Sequence, residues 1–260
     1  MNTKKPEKKI PKLKKISEAD VIMHLQRNLT LGHFLETAIE PIISDSEVIA
    51  CFSDIRGFTS YCRLQQQKNQ DTKIHNFLKR FTRIYSEAFA IWYNDNSTNL
   101  FNPSMVAPTM YKNLGDGLMM VWEIPSELEI GEQSILTLEI LGLIHYFQDR
   151  FYYHFRDLTP IERNAYSDDV TELEIGFGVA KGHAWKLDYG NTKDYAGSVI
   201  NLASRLQDLA RPSGIVAHYD MAPDIFDNDP PFAGKCRILK SVSGFQNIKA
   251  WMSDSVIISK

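Results

Sequence analysis

The chain has 260 residues, 23% of them charged and 43% hydrophobic, with a formal net charge of −3, which suits one sizeable globular domain with an appended tail. No apolar run approaches the ~18–20 residues needed to cross a bilayer, and the basic start is not followed by a signal-peptide core, so a cytosolic protein without a membrane span is expected. The charge is unevenly placed: residues 1–16 hold seven lysines against Glu7, about +6, so the remainder stands near −9. An acidic body argues against stable nucleic-acid binding. The lysine arm, broken by Pro6 and Pro11, reads as a solvated, disordered tail, with lipid or nucleic-acid contact as its alternative. Cys51, Cys62 and Cys236 are odd in number and lack metal-ligand spacing, so they read as reduced small hydrophobes.

In chain order, Ser17-Glu18-Ala19-Asp20 has the pattern of a helix N-cap with an acidic first turn, ahead of Val21, Leu25, Leu29 and Leu31. A helical segment over 17–45 is therefore expected before a main domain over 46–260. Residues 47–53 form a β-rich apolar run that reads as a buried strand delivering Asp54 at its end. From Asp71 to Tyr93, Ile74, Phe77, Leu78, Phe81, Ile84, Tyr85, Ala88 and Trp92 recur at three- and four-residue steps, the stripe of a long helix lying on a sheet. Asn94–Pro108 reads as a loop. Thr109–Leu114 and Leu118–Glu123 read as two strands joined by Gly115-Asp116-Gly117.

A second long helix is expected from about Glu132 to Phe155, although Gly142 weakens it. Residues 172–180 alternate as a strand. Gly197 precedes a helix through Leu209 that Arg211-Pro212 stops, and a short strand Ile215–Ala217 and a strand-like segment Leu239–Trp251 follow. The order βαββαβ with an extra helix and strands matches an α+β, ferredoxin-like sandwich.

Three separated segments carry the chemistry: Phe52-Ser53-Asp54-Ile55-Arg56-Gly57-Phe58-Thr59, Lys112-Asn113-Leu114-Gly115-Asp116-Gly117, and Asp194-Tyr195-Ala196-Gly197 running to Asn201-Leu202-Ala203-Ser204-Arg205. Asp54 and Asp116, at strand ends, can hold a pair of divalent cations, since Mg²⁺ or Mn²⁺ takes carboxylates together with phosphates and water. Gly57-Phe58-Thr59 enters a helix and offers backbone N–H groups to β- and γ-phosphates. Asn201 and Arg205, four apart, share one helix face. Each feature has a plainer reading: Asp54 as a turn cap, Asp116 as an ordinary Asp-Gly hairpin residue, Gly57 as a simple turn, Asn201 as a helix-start residue and Arg205 as a surface charge.

In order, local sequence and spacing, the three segments resemble the catalytic domain of class III nucleotidyl cyclases, which convert a nucleoside triphosphate into a 3′,5′-cyclic monophosphate and pyrophosphate. The resemblance implies two Mg²⁺ or Mn²⁺ ions held by Asp54, Asp116 and the Ile55 carbonyl. It implies a ribose-orienting Asn201, an Arg205 that stabilises the pentavalent α-phosphate, and a triphosphate-contacting Lys240, although Lys240-Ser241 departs from the commoner Lys-Gly. It further implies that Lys112 and Asp194 read the base, and that sites form between two chains, so that one chain carrying every residue is a homodimer.

The Lys112/Asp194 pair matches adenylyl rather than guanylyl cyclases, which disfavours GTP. Its one donor and one acceptor suit adenine, cytosine or uracil alike. Trp122 in place of a smaller aromatic, the polar loop before the second strand pair and the lack of an attached sensor module resemble the pyrimidine cyclases of Pycsar anti-phage systems, which make cyclic UMP or cyclic CMP for a separate effector. The alternatives are an adenylate cyclase making cyclic AMP, a catalytically silent nucleotide-binding module, and a nucleic-acid binder working through the lysine arm.

Overall fold

Strand β1 (Ile42–Arg56) is the axis of the fold, and in the computed structural model, which describes residues 40–95, 100–156, 158–228 and 230–257, it pairs along its whole length with β4 (Glu174–Asp188). The expected arm over 1–16 and most of the expected helical segment over 17–45 lie outside the described residues, and residues 42–45 belong to β1. Only Val48–Cys51 are continuously buried along β1, because only there do both faces of the strand carry a covering layer.

Following β1 come α1 (Phe58–Gln67), α2 (Asp71–Asp95), the short α3 (Pro103–Val106), β2 (Met110–Asn113), β3 (Gly117–Glu123), α4 (Ile130–Phe155) and α5 (Pro160–Tyr166). Beyond β4 lie β5 (Lys193–Ala196), α6 (Ser198–Leu209), β6 (Gly214–His218), α7 (Pro223–Asn228), β7 (Gly234–Val242) and β8 (Phe245–Ser253). The sheet runs β2-β3-β1-β4-β6-β8-β7, with β5 on β4, and every pairing is antiparallel except β4–β6. This is the expected α+β arrangement with its C-terminal additions.

The strand expected over 172–180 starts at Glu174, after a short 3-10 turn over Asp168–Glu172, and runs on to Asp188, and two other details also differ from the sequence reading. The segment expected as a loop over 94–108 contains α3, started by Asn102, whose side chain accepts from the Met105 N–H at 3.2 Å; Pro103 at the first helical position favours that start. The strand-like stretch 239–251 belongs to a hairpin of two strands, closed between Val242 and Phe245 by the Ser243-Gly244 turn.

One face of the sheet is covered by α2 and α4, whose apolar stripes meet through Phe77, Phe81, Phe147, Phe151 and Phe155, all at most 1% exposed. Phe81 meets Phe151 edge-on at a ring separation of 6.2 Å, a geometry favoured by the ring quadrupole. Gly142 sits mid-helix for a packing reason: a Cβ there would come within 2.5 Å of the Trp92 ring of α2. Trp122 is fully buried, with its indole N–H donated to the Val106 carbonyl at 2.7 Å. Among the described residues, no helix is long and apolar enough to cross a membrane.

The other face is covered by α6, which touches β4 almost backbone to backbone. A Cβ at Gly178 of β4 would lie 2.0 Å from the Gln207 nitrogen and 2.2 Å from the Ala203 carbonyl oxygen. Replacing Gly178 by Ala therefore forces α6 off the sheet, and urea unfolding is expected to register a loss of about 1–3 kcal/mol or more.

Candidate active site

The β1–β3 ladder ends by placing Asp54 opposite Gly117. A Cβ at Gly117 would stand 2.3 Å from the Ser53 carbonyl oxygen, so the residue after Asp116 has to be glycine for the strands to close this far. The turn is held further by the Ile55 N–H donating to the Asp116 carbonyl at 3.1 Å and the Leu118 N–H donating to the buried Ser53 hydroxyl at 3.2 Å. Two residues expected as metal ligands, 62 positions apart in the chain, are thereby brought onto adjoining strand ends.

Burial raises the Asp54 pKa; Arg56 opposes the shift and the Asp116 charge adds to it, leaving the carboxyl above its ordinary value. A carboxylate that feels its neighbour's charge is a site suited to a cation. Among the described residues no group of three or more His, Cys, Asp or Glu side chains is arranged to hold a metal ion. Asp54 and Asp116 could supply two carboxylate oxygens, donors of the kind Mg²⁺ takes.

Gly57 follows β1 as the N-cap of α1, with no side chain capping the helix start. The first N–H groups of α1, from Phe58 and Thr59 onward, therefore point outward from the positive end of the helix dipole. Phe58 packs against Phe77 at 5.4 Å and Tyr61 donates to the Tyr166 carbonyl at 2.7 Å, which pins α1 to the helical layer. A cleft of about 490 Å³ opens between α1 and the β2–β3 turn, lined by Thr59, Arg63, Gly115 and Asp116 among others.

Lys112 on the edge strand β2 and Asp194 on β5 form an ion pair at 3.1 Å. With β3, β1 and β4 between them and strands ~4.8 Å apart, a flat sheet would separate them by about 19 Å, so the contact requires the sheet to curl. The curl is buttressed by Glu123 of β3, which accepts from the Tyr195 hydroxyl of β5 at 2.7 Å and pairs with Lys186 of β4 at 2.8 Å. Asn201 and Arg205 lie exposed on α6, Arg205 within 3.8 Å of Asp208 on the same helix. Lys240 is exposed on the outer strand β7, and no described contact joins it to the other candidate residues.

No family model and no curated protein matches this sequence. Solved structures do. The adenylyl cyclase CyaB from P. aeruginosa superposes with a TM-score of 0.54 at 19% identity, covering 84% of this chain and 97% of that one. The guanylyl cyclase Cya2 gives 0.52 at 15% identity over 84% and 95%, and a bacterial light-regulated adenylyl cyclase gives 0.54 at 14% over 82% and 92%. The chain has the nucleotide-cyclase fold.

Within this fold the expected site residues, Lys240 apart, fall into three groups: Asp54, Ile55, Asp116 and the Gly57-Phe58-Thr59 entry to α1; the Lys112/Asp194 pair; and Asn201 with Arg205. The residue overlooked in the sequence is Arg56. Its Nη1 is ion-paired with Asp54, its Nη2 donates to the Gln207 carbonyl at 2.7 Å, and its side chain is 13% exposed. Strand alternation, which puts residues two apart on the same face, signals this pairing in the motif itself.

The Lys112/Asp194 pair is partly solvated, with side chains 43% and 25% exposed, so its contribution to folding is small. Replacing Lys112 by Met should change the unfolding free energy measured in urea by less than about 1 kcal/mol; a larger loss would assign the pair to architecture rather than to ligand recognition.

Proposed function

We propose that this protein is a nucleotidyl cyclase, converting a nucleoside triphosphate to its 3′,5′-cyclic monophosphate with release of pyrophosphate. The observation that carries this reading is the juxtaposition of Asp54 and Asp116 at adjoining strand ends, beside an uncapped helix start. A nucleotide-cyclase fold alone supports no particular chemistry; these residues on that fold do.

In the reaction the ribose 3′-hydroxyl gives up its proton to water, its oxygen bonds to the α-phosphorus, and the bond to the departing pyrophosphate oxygen breaks. Negative charge accumulates on the phosphoryl oxygens as it does so. Two divalent cations, Mg²⁺ or Mn²⁺, would neutralise that charge when bound by Asp54, Asp116 and the Ile55 carbonyl. The N–H groups at the start of α1 would receive the β- and γ-phosphates. Arg205, with its permanent charge and forked donors, would meet the α-phosphoryl oxygens while Asn201 orients the ribose; Lys240 would add a triphosphate contact.

Asp54 and Asp116 would act with Lys112, Asp194, Asn201 and Arg205 of a second copy, in a homodimer with two equivalent sites. The complete residue set in one chain and the outward exposure of Asn201 and Arg205 support this arrangement.

For the base, Lys112 donates and Asp194 accepts, which fits the acceptor and donor edges of uracil and cytosine. We take UTP or CTP as the substrate, on the likeness of the motif surroundings to pyrimidine cyclases, with a cyclic UMP or cyclic CMP signal to a separate effector in anti-phage defence. Trp122 no longer contributes to this choice, because its burial and its bond to Val106 make it a core residue. ATP, giving cyclic AMP, is the second reading, since the same Lys/Asp pair fits the adenine edge.

Incubating the protein separately with UTP, CTP, ATP and GTP plus Mn²⁺ and identifying the product by mass is expected to yield a cyclic pyrimidine nucleotide; cyclic AMP as the main product would overturn the base assignment. Asp54→Ala and Asp116→Ala should each abolish turnover with the fold retained by circular dichroism. Arg205→Ala should lower kcat by about 10²-fold or more with a smaller effect on KM. Nucleotide binding without pyrophosphate release would instead identify a silent binding module.

A further inference from the structure

Asp54 does not face solvent as a bare carboxylate. Arg56, two residues along the same strand face, ion-pairs with it through Nη1. The Arg56 Nη2 meanwhile donates to the main-chain carbonyl of Gln207 on α6, at 2.7 Å. The Gln207 amide also faces the guanidinium and accepts from it in the orientation that satisfies both groups. The guanidinium lies against Gly176 of β4, where a Cβ would approach Nη2 to 3.3 Å, and Asp54 is 31% exposed. The cation is therefore seated from behind, inside the protein, while the carboxylate it neutralises is open from the front.

We propose that Arg56 is a placeholder cation for Asp54, which any metal ion must displace, so that the site resists metal alone and accepts it together with the triphosphate. The proposal rests on the reading of Asp54 as a metal ligand. Three features of the surroundings make displacement feasible. The hydrogen bonds to Gln207 do not involve Asp54, so Arg56 keeps a partner when it lets go. Its Nε is buried and has no described partner, so the guanidinium is not held on every side. The incoming triphosphate carries the negative charge that compensates for a second cation arriving beside Arg56 and the nearby Arg211, whose charge Asp54 already feels.

A guanidinium–carboxylate contact on a half-open site competes directly with a cation for the same oxygens. Removing it leaves Asp54, which already feels the Asp116 charge, with less compensation and a stronger attraction for Mn²⁺. A residue serving only as a strut between β1 and α6 would behave in the opposite way, since its loss would loosen the strand end and weaken metal binding along with stability.

The test is Mn²⁺ binding without nucleotide, followed through the electron paramagnetic resonance signal of free Mn²⁺, with thermal melting of each variant alongside. Arg56→Ala and Arg56→Gln should bind Mn²⁺ about tenfold more tightly than the parent protein. The Gln variant keeps a donor for Gln207 and serves if the Ala variant fails to fold. Arg56→Lys, which keeps the charge, should stay within about twofold, and adding Asp54→Asn to Arg56→Ala should erase the gain. Equal or weaker binding by both neutral variants, while Asp54→Asn weakens the parent protein, would overturn the placeholder role and leave Asp54 a metal ligand. Mn²⁺ binding untouched by Asp54→Asn in every background would instead remove the metal assignment, and the placeholder with it.

Discussion

A carboxylate pair can serve a triphosphate only if two strand ends approach closely and stop in register, and here that approach depends on Asp54 lying opposite Gly117. Side chains alternate along a strand, so a slip of one residue would turn Asp54 to the opposite face and bring a different residue beside the turn. The register is held from several sides. The Ser53 hydroxyl takes the Leu118 N–H, the Asp116 carbonyl takes the Ile55 N–H, and β4 pairs with β1 through all fifteen of its residues. The absence of a side chain at Gly117 permits the close approach, and the ladder enforces it.

The remaining groups are placed by curvature and by a helix lying directly on the sheet. Tyr195 and Lys186 converge on Glu123, drawing the far half of β4 and its partner β5 over toward β3, and this brings Asp194 within reach of Lys112. Gly178 lets α6 settle onto β4, which sets the height at which Asn201 and Arg205 emerge. The first device acts through side chains on Glu123 and the second through the backbone approach at Gly178.

Much of this was legible in the residues. The helical stripes of α2 and α4, the strand ending in Asp54 and the hairpin carrying Asp116 follow from hydrophobic period and turn chemistry, and so does the shared face of Asn201 and Arg205. The length of β1 and β4 was not, because their outer halves lack the apolar run that marks a buried strand; Ile42–Asp45 are exposed and owe their strand form to pairing. Gly142 looked like a flaw in α4, and only the facing Trp92 explains it. The curl of the sheet was illegible too, since nothing local links Lys112 to Asp194 across 82 positions. Arg56 was visible in principle: an arginine two residues from an aspartate on one strand face is a charge pair by geometry alone.

The long antiparallel pairing of β1 with β4 has a kinetic consequence. Ile55 finds its partner in Ile175, and Arg56 finds Gln207 after an interval of 151 residues, so the strand bearing the first aspartate lacks most of its neighbours until the second half of the chain has been synthesised. Contacts this distant along the chain incur a large loop-closure entropy and slow the search for the native state. The nascent N-terminal half would emerge from the ribosome with an apolar strand edge unsheltered, the condition under which chaperones engage a growing polypeptide.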